Sequence, residues 1–356
     1  MENEKKKNID RYKKVFWAVF SPLLAVLTVW AVLEQNKSVS IKDIIDTFSR
    51  TNKIWFTLAA ICSFLFIVLE GVAICSILKG ANYRPKPLNG LIYSTSDVYF
   101  SAITPSATGG QPASAYFMLR DGISAGVVTA TLIVNLMMYT VSLVVLGIIA
   151  VIIHPHAFFG FSPLSKVLII SGAVVLGTLS FCFFFMLKNG NKVFSWLEKF
   201  LNFLKRKRIV HISERVFRKV NKTKKDYAEC SKLLANNYSI LLKSFLWTLL
   251  QRISQIIAPV LLHLSLGGNL RDSSLIFSKQ CLITVGYNLI PIPGAMGVAD
   301  YLMIDGFSEI MGRNAAFGLE MLSRGLTFYI CVSVSGVITL VGYIIKRKKK
   351  TITKQV

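Results

Sequence analysis

From Ile123 to Ile153 the chain runs without a single charged side chain. A helix rises about 1.5 Å per residue, so this run outspans a bilayer core of roughly 30 Å, for which about 20 apolar residues suffice. Four further runs qualify: 15–33, 54–78 (interrupted only by Glu70), 167–187 and 325–345. A sixth, 244–266, is apolar except for Arg252 and His263. Only 17% of residues are charged, against about 25% in soluble domains. The expected fold class is therefore an all-α polytopic membrane protein with about six full transmembrane helices. The first run follows a basic stretch and lacks a small-residue cleavage site, so it reads as a retained anchor.

The charges that remain are gathered and unequal, 41 Lys+Arg against 18 Asp+Glu, for a formal net charge of +23. Residues 188–232 hold 14 Lys/Arg against Glu198, Glu214, Asp226 and Glu229, and the tail from Lys346 adds KRKKK. By the positive-inside rule both ends and this central loop are cytoplasmic. Five parts follow: a basic N-terminus at 1–14, a first membrane half at 15–187, a cytoplasmic basic loop at 188–239, a second half at 240–345 and a basic tail at 346–356. Within the loop, Val193, Trp196, Leu197, Phe200, Leu201 and Leu204 recur at helical spacing beside lysines, predicting an amphipathic helix at 190–207 on the anionic inner leaflet. The basic charge comes with no base-stacking module, so no nucleic acid is expected.

Two apolar stretches break this count. Residues 88–119 and 275–299 both carry Pro and Gly at mid-length (Pro105, Gly109, Gly110, Pro112; Pro291, Pro293, Gly294, Gly297), where a helix breaks and its freed backbone groups need protein or water. If either stretch crossed once, a basic block would fall outside. Both are therefore expected to be re-entrant hairpins, the first from the cytoplasm and the second from outside. Tyr116-Phe117-Met118 with Asp121-Gly122 follows one, and Tyr301-Leu302-Met303 with Asp305-Gly306 the other. Together with the opposite directions, this points to an inverted repeat, with units around 54–153 and 244–345, an arrangement that places a site near the midplane. The alternative is a bundle of merely kinked helices.

Ionisable groups at membrane depth cost about 2.5 kcal/mol or more and face a cavity or a partner. Glu70, Asp97, Arg252, Glu320 and Arg324 qualify, with His263 and Lys279 nearer the outer surface. Glu320 and Arg324 stand at i,i+4, in the favourable order for an ion pair; a headgroup contact is the other reading. Arg252 suits a phosphate through its fork of donors, or else a salt bridge to Glu320 or Asp300. Thr104, Thr108, Gly109, Gly110, Gln111, Pro293, Gly294 and Gly297 sit at the breaks, where helix ends present N–H groups to an anion; packing alone would also explain the glycines. Cys62, Cys75, Cys182, Cys230, Cys281 and Cys331 form no CxxC and read as small hydrophobes. No phosphate-binding loop, HExxH, GxSxG or dinucleotide fingerprint occurs, so the chain offers no cofactor or metal site and no ground for an ATP-driven pump.

Thr104-Pro105-Ser106-Ala107-Thr108-Gly109-Gly110-Gln111-Pro112 and Ile290-Pro291-Ile292-Pro293-Gly294-Ala295-Met296-Gly297-Val298-Ala299-Asp300 resemble the two signature stretches of the lysylphosphatidylglycerol synthase transmembrane-region family, the flippase-like membrane half of the bacterial multiple peptide resistance factor. The family's second stretch usually ends in Glu, where this chain has Asp300. The resemblance implies translocation of (lysyl-)phosphatidylglycerol to the outer leaflet of a bacterial cell membrane, lowering negative surface charge and contributing to resistance to cationic antimicrobial peptides. For such a lipid Glu70 and Asp97 are candidate partners of the lysyl ammonium; a buried, satisfied carboxylate is the other reading for each. Full-length members add a soluble lysyltransferase domain; after Ile345 only KRKKKTITKQV follows, so the expectation is the membrane half without it. Two alternatives stand: a phosphatidylglycerol lysyltransferase, alone or with a separate soluble synthase, and a carrier of another polar solute or a membrane scaffold. Homodimerisation is compatible with the small-residue content but has no assignable interface.

Overall fold

The computed structural model describes residues 51–104, 107–189, 195, 214–288, 290 and 292–352. Met1–Thr51 and Asn52–Val356 form separate units, and the architecture below is that of the second. The expected span 15–33 and amphipathic helix 190–207 lie outside the described residues, apart from Ser195.

Eleven α-helices of three or more turns make up this unit among the described residues: α1 Lys53–Gly80, α2 Pro87–Ile103, α3 Gly110–Arg120, α4 Ala125–Ile153, α5 Pro163–Lys188, α6 Glu214–Ala235, α7 Tyr238–Ser265, α8 Ser273–Tyr287, α9 Val298–Met311, α10 Arg313–Arg324 and α11 Cys331–Ile352. The π-helical turn Gly325–Ile330 joins the last two. Among the described residues five stretches are long and apolar enough to cross a membrane: α1, α4, α5, α7 and the continuous run Arg313–Lys346. The last starts a full helix earlier than the apolar run 325–345 suggests, because the amphipathic α10 leads into it without a break. Local chemistry sets the starts. Asn52 accepts from Ile54 N–H at 3.0 Å and Asn237 from Ile240 N–H at 3.2 Å, while Pro87 and Pro163 take first-turn positions that need no N–H donor.

Helices α2 and α3 pack together as a hairpin, as do α8 and α9. The first helix of each half, α1 and α7, lie side by side and run antiparallel, since Asn52 N–H donates to Ser265 C=O at 2.7 Å. The hairpins consequently start from opposite ends of the bundle. Each packs on the closing helix of the other half, α2 on α11 and α8 on α4. The equivalent Tyr and Asp motifs tie each hairpin's second helix down. Asp121 takes Lys346 at 2.5 Å and the Tyr93 hydroxyl; Asp305 takes Ser162 N–H at 2.9 Å, and Tyr301 meets the Ser162 hydroxyl at 2.8 Å.

Buried apolar side chains divide into two clusters. One gathers Ile77, Leu78, Tyr93, Met118, Val134 and Tyr227; the other gathers Ala59, Ile169, Ile256, Ile276, Phe307 and Leu319. Along α1 the order is Ala59, then Glu70, then Ile77; along α7 it is Thr248 to Gln255, then Ile256. A polar layer thus lies between the two clusters. Helix α6 falls within the stretch expected as basic loop, and it packs on α4, α5 and α7. Its Tyr227 and Cys230 are buried against them, which pushes the phenol up to about 12 and the thiol up to about 11.

Candidate functional site

The polar layer encloses a cavity of about 380 Å³, within the size range of small-molecule sites. Its wall takes Glu70 from α1, Asp97 and Ser101 from α2, Gln111 from α3, Tyr139 from α4, Arg252 and Gln255 from α7, Gln280 from α8, Gly294 and Ala295 from the second break, and Arg324 from α10. Both helix breaks reach it, since Ala107 lines it as well.

One side is acidic. Asp97 accepts from Gln111 Nε2 at 2.7 Å and from the Ser101 hydroxyl at 3.0 Å. Glu70 accepts from Gln251 Nε2 at 3.3 Å. Gly110 is required here, because a Cβ would run into the Asp97 carboxylate and the Ser101 hydroxyl. Thr104 holds the end of α2: its hydroxyl donates to Phe100 C=O at 2.6 Å and accepts from Gly109 N–H at 2.8 Å.

The other side is cationic. Arg252 lies between rings, 4.3 Å from the centroid of Tyr139 and 4.8 Å from that of Phe66, and donates to Gln255 Oε1 at 3.0 Å. Such stacking holds a guanidinium in place without neutralising it. Arg324 braces the second break. It donates to Gly294 C=O at 3.0 Å and pairs with Asp300 at 2.7 Å, while Asp300 accepts from Gly297 N–H at 2.8 Å. Gly294 sits at φ 60° with the Phe328 ring against it, leaving no room for a side chain.

Among the residues expected at the site, Glu70, Asp97, Gln111, Arg252, Gly294 and Arg324 share the cavity wall. Thr104, Gly109 and Gly110 shape the first break, and Thr108 is exposed beside it. Gly297 and Asp300 stand beside Arg324, with Glu320 buried one turn earlier on α10. Pro293 begins the short 3-10 turn Pro293–Ala295. Two expected pairings are corrected. Arg324 forms its ion pair with Asp300 rather than Glu320, because the second hairpin delivers that carboxylate to the end of α10. Asp300 is thereby taken, and among the described residues Arg252 forms no salt bridge. Sequence reasoning misses Tyr139, Gln251, Gln255, Gln280 and Asn288, the last of which accepts from Tyr139 at 2.6 Å. Their signal is that of uncharged amides and phenols inside otherwise apolar spans.

An all-α bundle with several membrane-spanning helices and a two-signed polar cavity between its apolar clusters is the architecture of an integral membrane protein. The chain matches the lysylphosphatidylglycerol synthase TM region over residues 16–335, and it belongs to that family. No curated protein matches it in sequence.

Proposed function

We propose that this protein moves the headgroup of a phospholipid, lysylphosphatidylglycerol or a related lipid, between the two leaflets of a bacterial cell membrane. The observation that carries this reading is the cavity itself. It lies between two helix breaks approached from opposite ends, and it presents carboxyls on one side and a stacked guanidinium on the other. An aminoacylated phospholipid headgroup carries both an ammonium and a phosphate, and each finds its complement there. Polar residues across the middle of the bundle remove most of the cost of drawing those charges through hydrocarbon, while the acyl chains stay in lipid.

In this reading the basic ends and the α6 region face the cytoplasm, the α2/α3 hairpin dips in from that side and α8/α9 from the other. Outward movement of a lysylated lipid lowers the negative charge of the outer surface and weakens attraction for cationic peptides.

The test uses the purified chain in liposomes containing lysylphosphatidylglycerol, with an impermeant amine-reactive dye outside. Translocation gives a protein-dependent rise in labelled lipid beyond the outer-leaflet share, reduced at least tenfold in rate by Arg252→Ala, about 1.4 kcal/mol. Labelling equal to that of protein-free liposomes, with and without an imposed proton gradient, refutes the reading for this lipid.

A further inference from the structure

Glu70 and Asp97 are each more than nine-tenths buried and line the same cavity, and the Ser94 hydroxyl, one helical turn before Asp97 on α2, lies 3.5 Å from a Glu70 oxygen. Two buried like charges on one cavity wall do not both ionise without a large cost, so the pair retains a proton. The charge count around the pair agrees. Arg252 faces it from α7 and the Tyr139 phenol from α4, with Arg324 on the cavity's far wall committed to Asp300. Among the described residues no salt bridge within 4.0 Å reaches either carboxyl, since Arg252 is held over its two rings. Two carboxylates and one guanidinium leave a single negative charge, which one proton cancels. Arg252 and Gln280, wall residues only 7% and 5% exposed, each hold one buried side-chain atom without a hydrogen-bond partner, Nε and Oε1. Buried polar groups left unsatisfied on a cavity wall mark a place for a ligand.

We propose that Glu70 and Asp97 form a proton-exchange site, in which an ammonium of a bound headgroup replaces the retained proton, so that passage of a cationic headgroup one way is matched by a proton moving the other way. The ammonium half rests on the lipid reading above; the proton half does not. A lysylated headgroup carries two ammonium groups against one phosphate, a net charge of +1, so it and a proton each bring the pair and Arg252 to neutrality, and both together would leave a net positive charge in a layer of low dielectric. They therefore compete.

Infrared difference spectra of the reconstituted chain test the proton directly, through the C=O stretch of a protonated carboxyl and its shift in heavy water. At neutral pH the native protein shows this band, and it disappears in Asp97→Asn and in Glu70→Gln; retained thermal melting of either variant shows that the loss is local. Saturating lysylphosphatidylglycerol abolishes the band and releases about one proton per chain into weakly buffered solution, whereas phosphatidylglycerol leaves it intact. Absence of a band assignable to these two residues overturns the site, whatever the lipid does. A band that persists with lysylphosphatidylglycerol bound overturns the exchange. A band with no lipid translocation removes the lipid reading and leaves the proton site standing.

Discussion

Lys279 is a sharp test of how this bundle tolerates charge. Its side chain is fully buried, whereas its partner Glu309, 2.5 Å away, is 58% exposed. The two halves of the pair are therefore unequal. Glu309→Gln leaves an ammonium enclosed by protein, with the Phe161 ring 5.1 Å away as its remaining support. Removing one member of a buried pair costs about 3–5 kcal/mol; water that reaches Glu309 and the surviving cation–π contact, worth about 1 kcal/mol, bring the expected loss to about 2–3 kcal/mol. Lys279→Met removes the charge and keeps the packed stem, while the exposed Glu309 turns to water, so the loss stays within about 1 kcal/mol. The double variant should match Lys279→Met alone. In detergent, thermal melts followed by circular dichroism should show Glu309→Gln lowered by on the order of 5 °C, with the other two near the native value. Equal destabilisation by both single variants, or a double variant as unstable as Glu309→Gln, would refute the argument.

Gly110→Ala should slow lipid translocation at least tenfold, about 1.4 kcal/mol, since its Cβ meets the Asp97 carboxylate and the Ser101 hydroxyl; liposome labelling measures it, and a native rate would mean that the Asp97 position is unimportant. Ala295→Gly should raise the melting temperature slightly, by relieving about 1 kcal/mol of left-handed backbone strain at φ 50°; a marked fall would show that the methyl group packs usefully. Cys230, buried and with its thiol pushed up to about 11, holds little thiolate at pH 7 and gains it only as the pH rises toward that value. Peptide mass spectrometry after maleimide treatment should find Cys230 unlabelled at pH 7 and labelled once the protein is denatured; full labelling of the folded protein at pH 7 would place α6 differently.

Much of this architecture is legible from cost. A charge inside an apolar run is expensive, so Glu70, Asp97, Arg252 and Arg324 announce a polar cavity by their positions in the chain alone. Proline with glycine at mid-run announces a broken helix for the same reason. Gln251, Gln280 and Tyr139 are cheaper to bury and so carry a weaker signal, although they complete the wall. Pairings are less legible still. The i,i+4 spacing favours Glu320 with Arg324, but a hairpin separated in sequence brings Asp300 to the same guanidinium, and local spacing carries no information about it. Helix α6 is hidden because its lysines dominate a pattern whose apolar face, Tyr227, Cys230 and Leu234, shows only once α4 and α5 are there to cover it.

The two halves solve one problem at both breaks. Ala107 and Ala295 both adopt left-handed backbone, φ 52° and 50°, and both line the cavity. Such a conformation costs an alanine about 1 kcal/mol and persists only where the surroundings over-determine it. Here they do. Thr104 fixes the first break through Gly109 N–H, and Arg324 with Asp300 fixes the second through Gly294 C=O and Gly297 N–H. The braces differ in chemistry, a neutral hydroxyl in one half and an ion pair in the other. A break held by a hydroxyl leaves its neighbouring carboxyl, Asp97, with neutral hydrogen-bond partners, Ser101 and Gln111, whereas the second break commits Asp300 to an ion pair of its own. In the proposed exchange the two hairpins therefore divide the labour: the first presents the exchangeable negative charge, and the second supplies the rigid wall against which it acts.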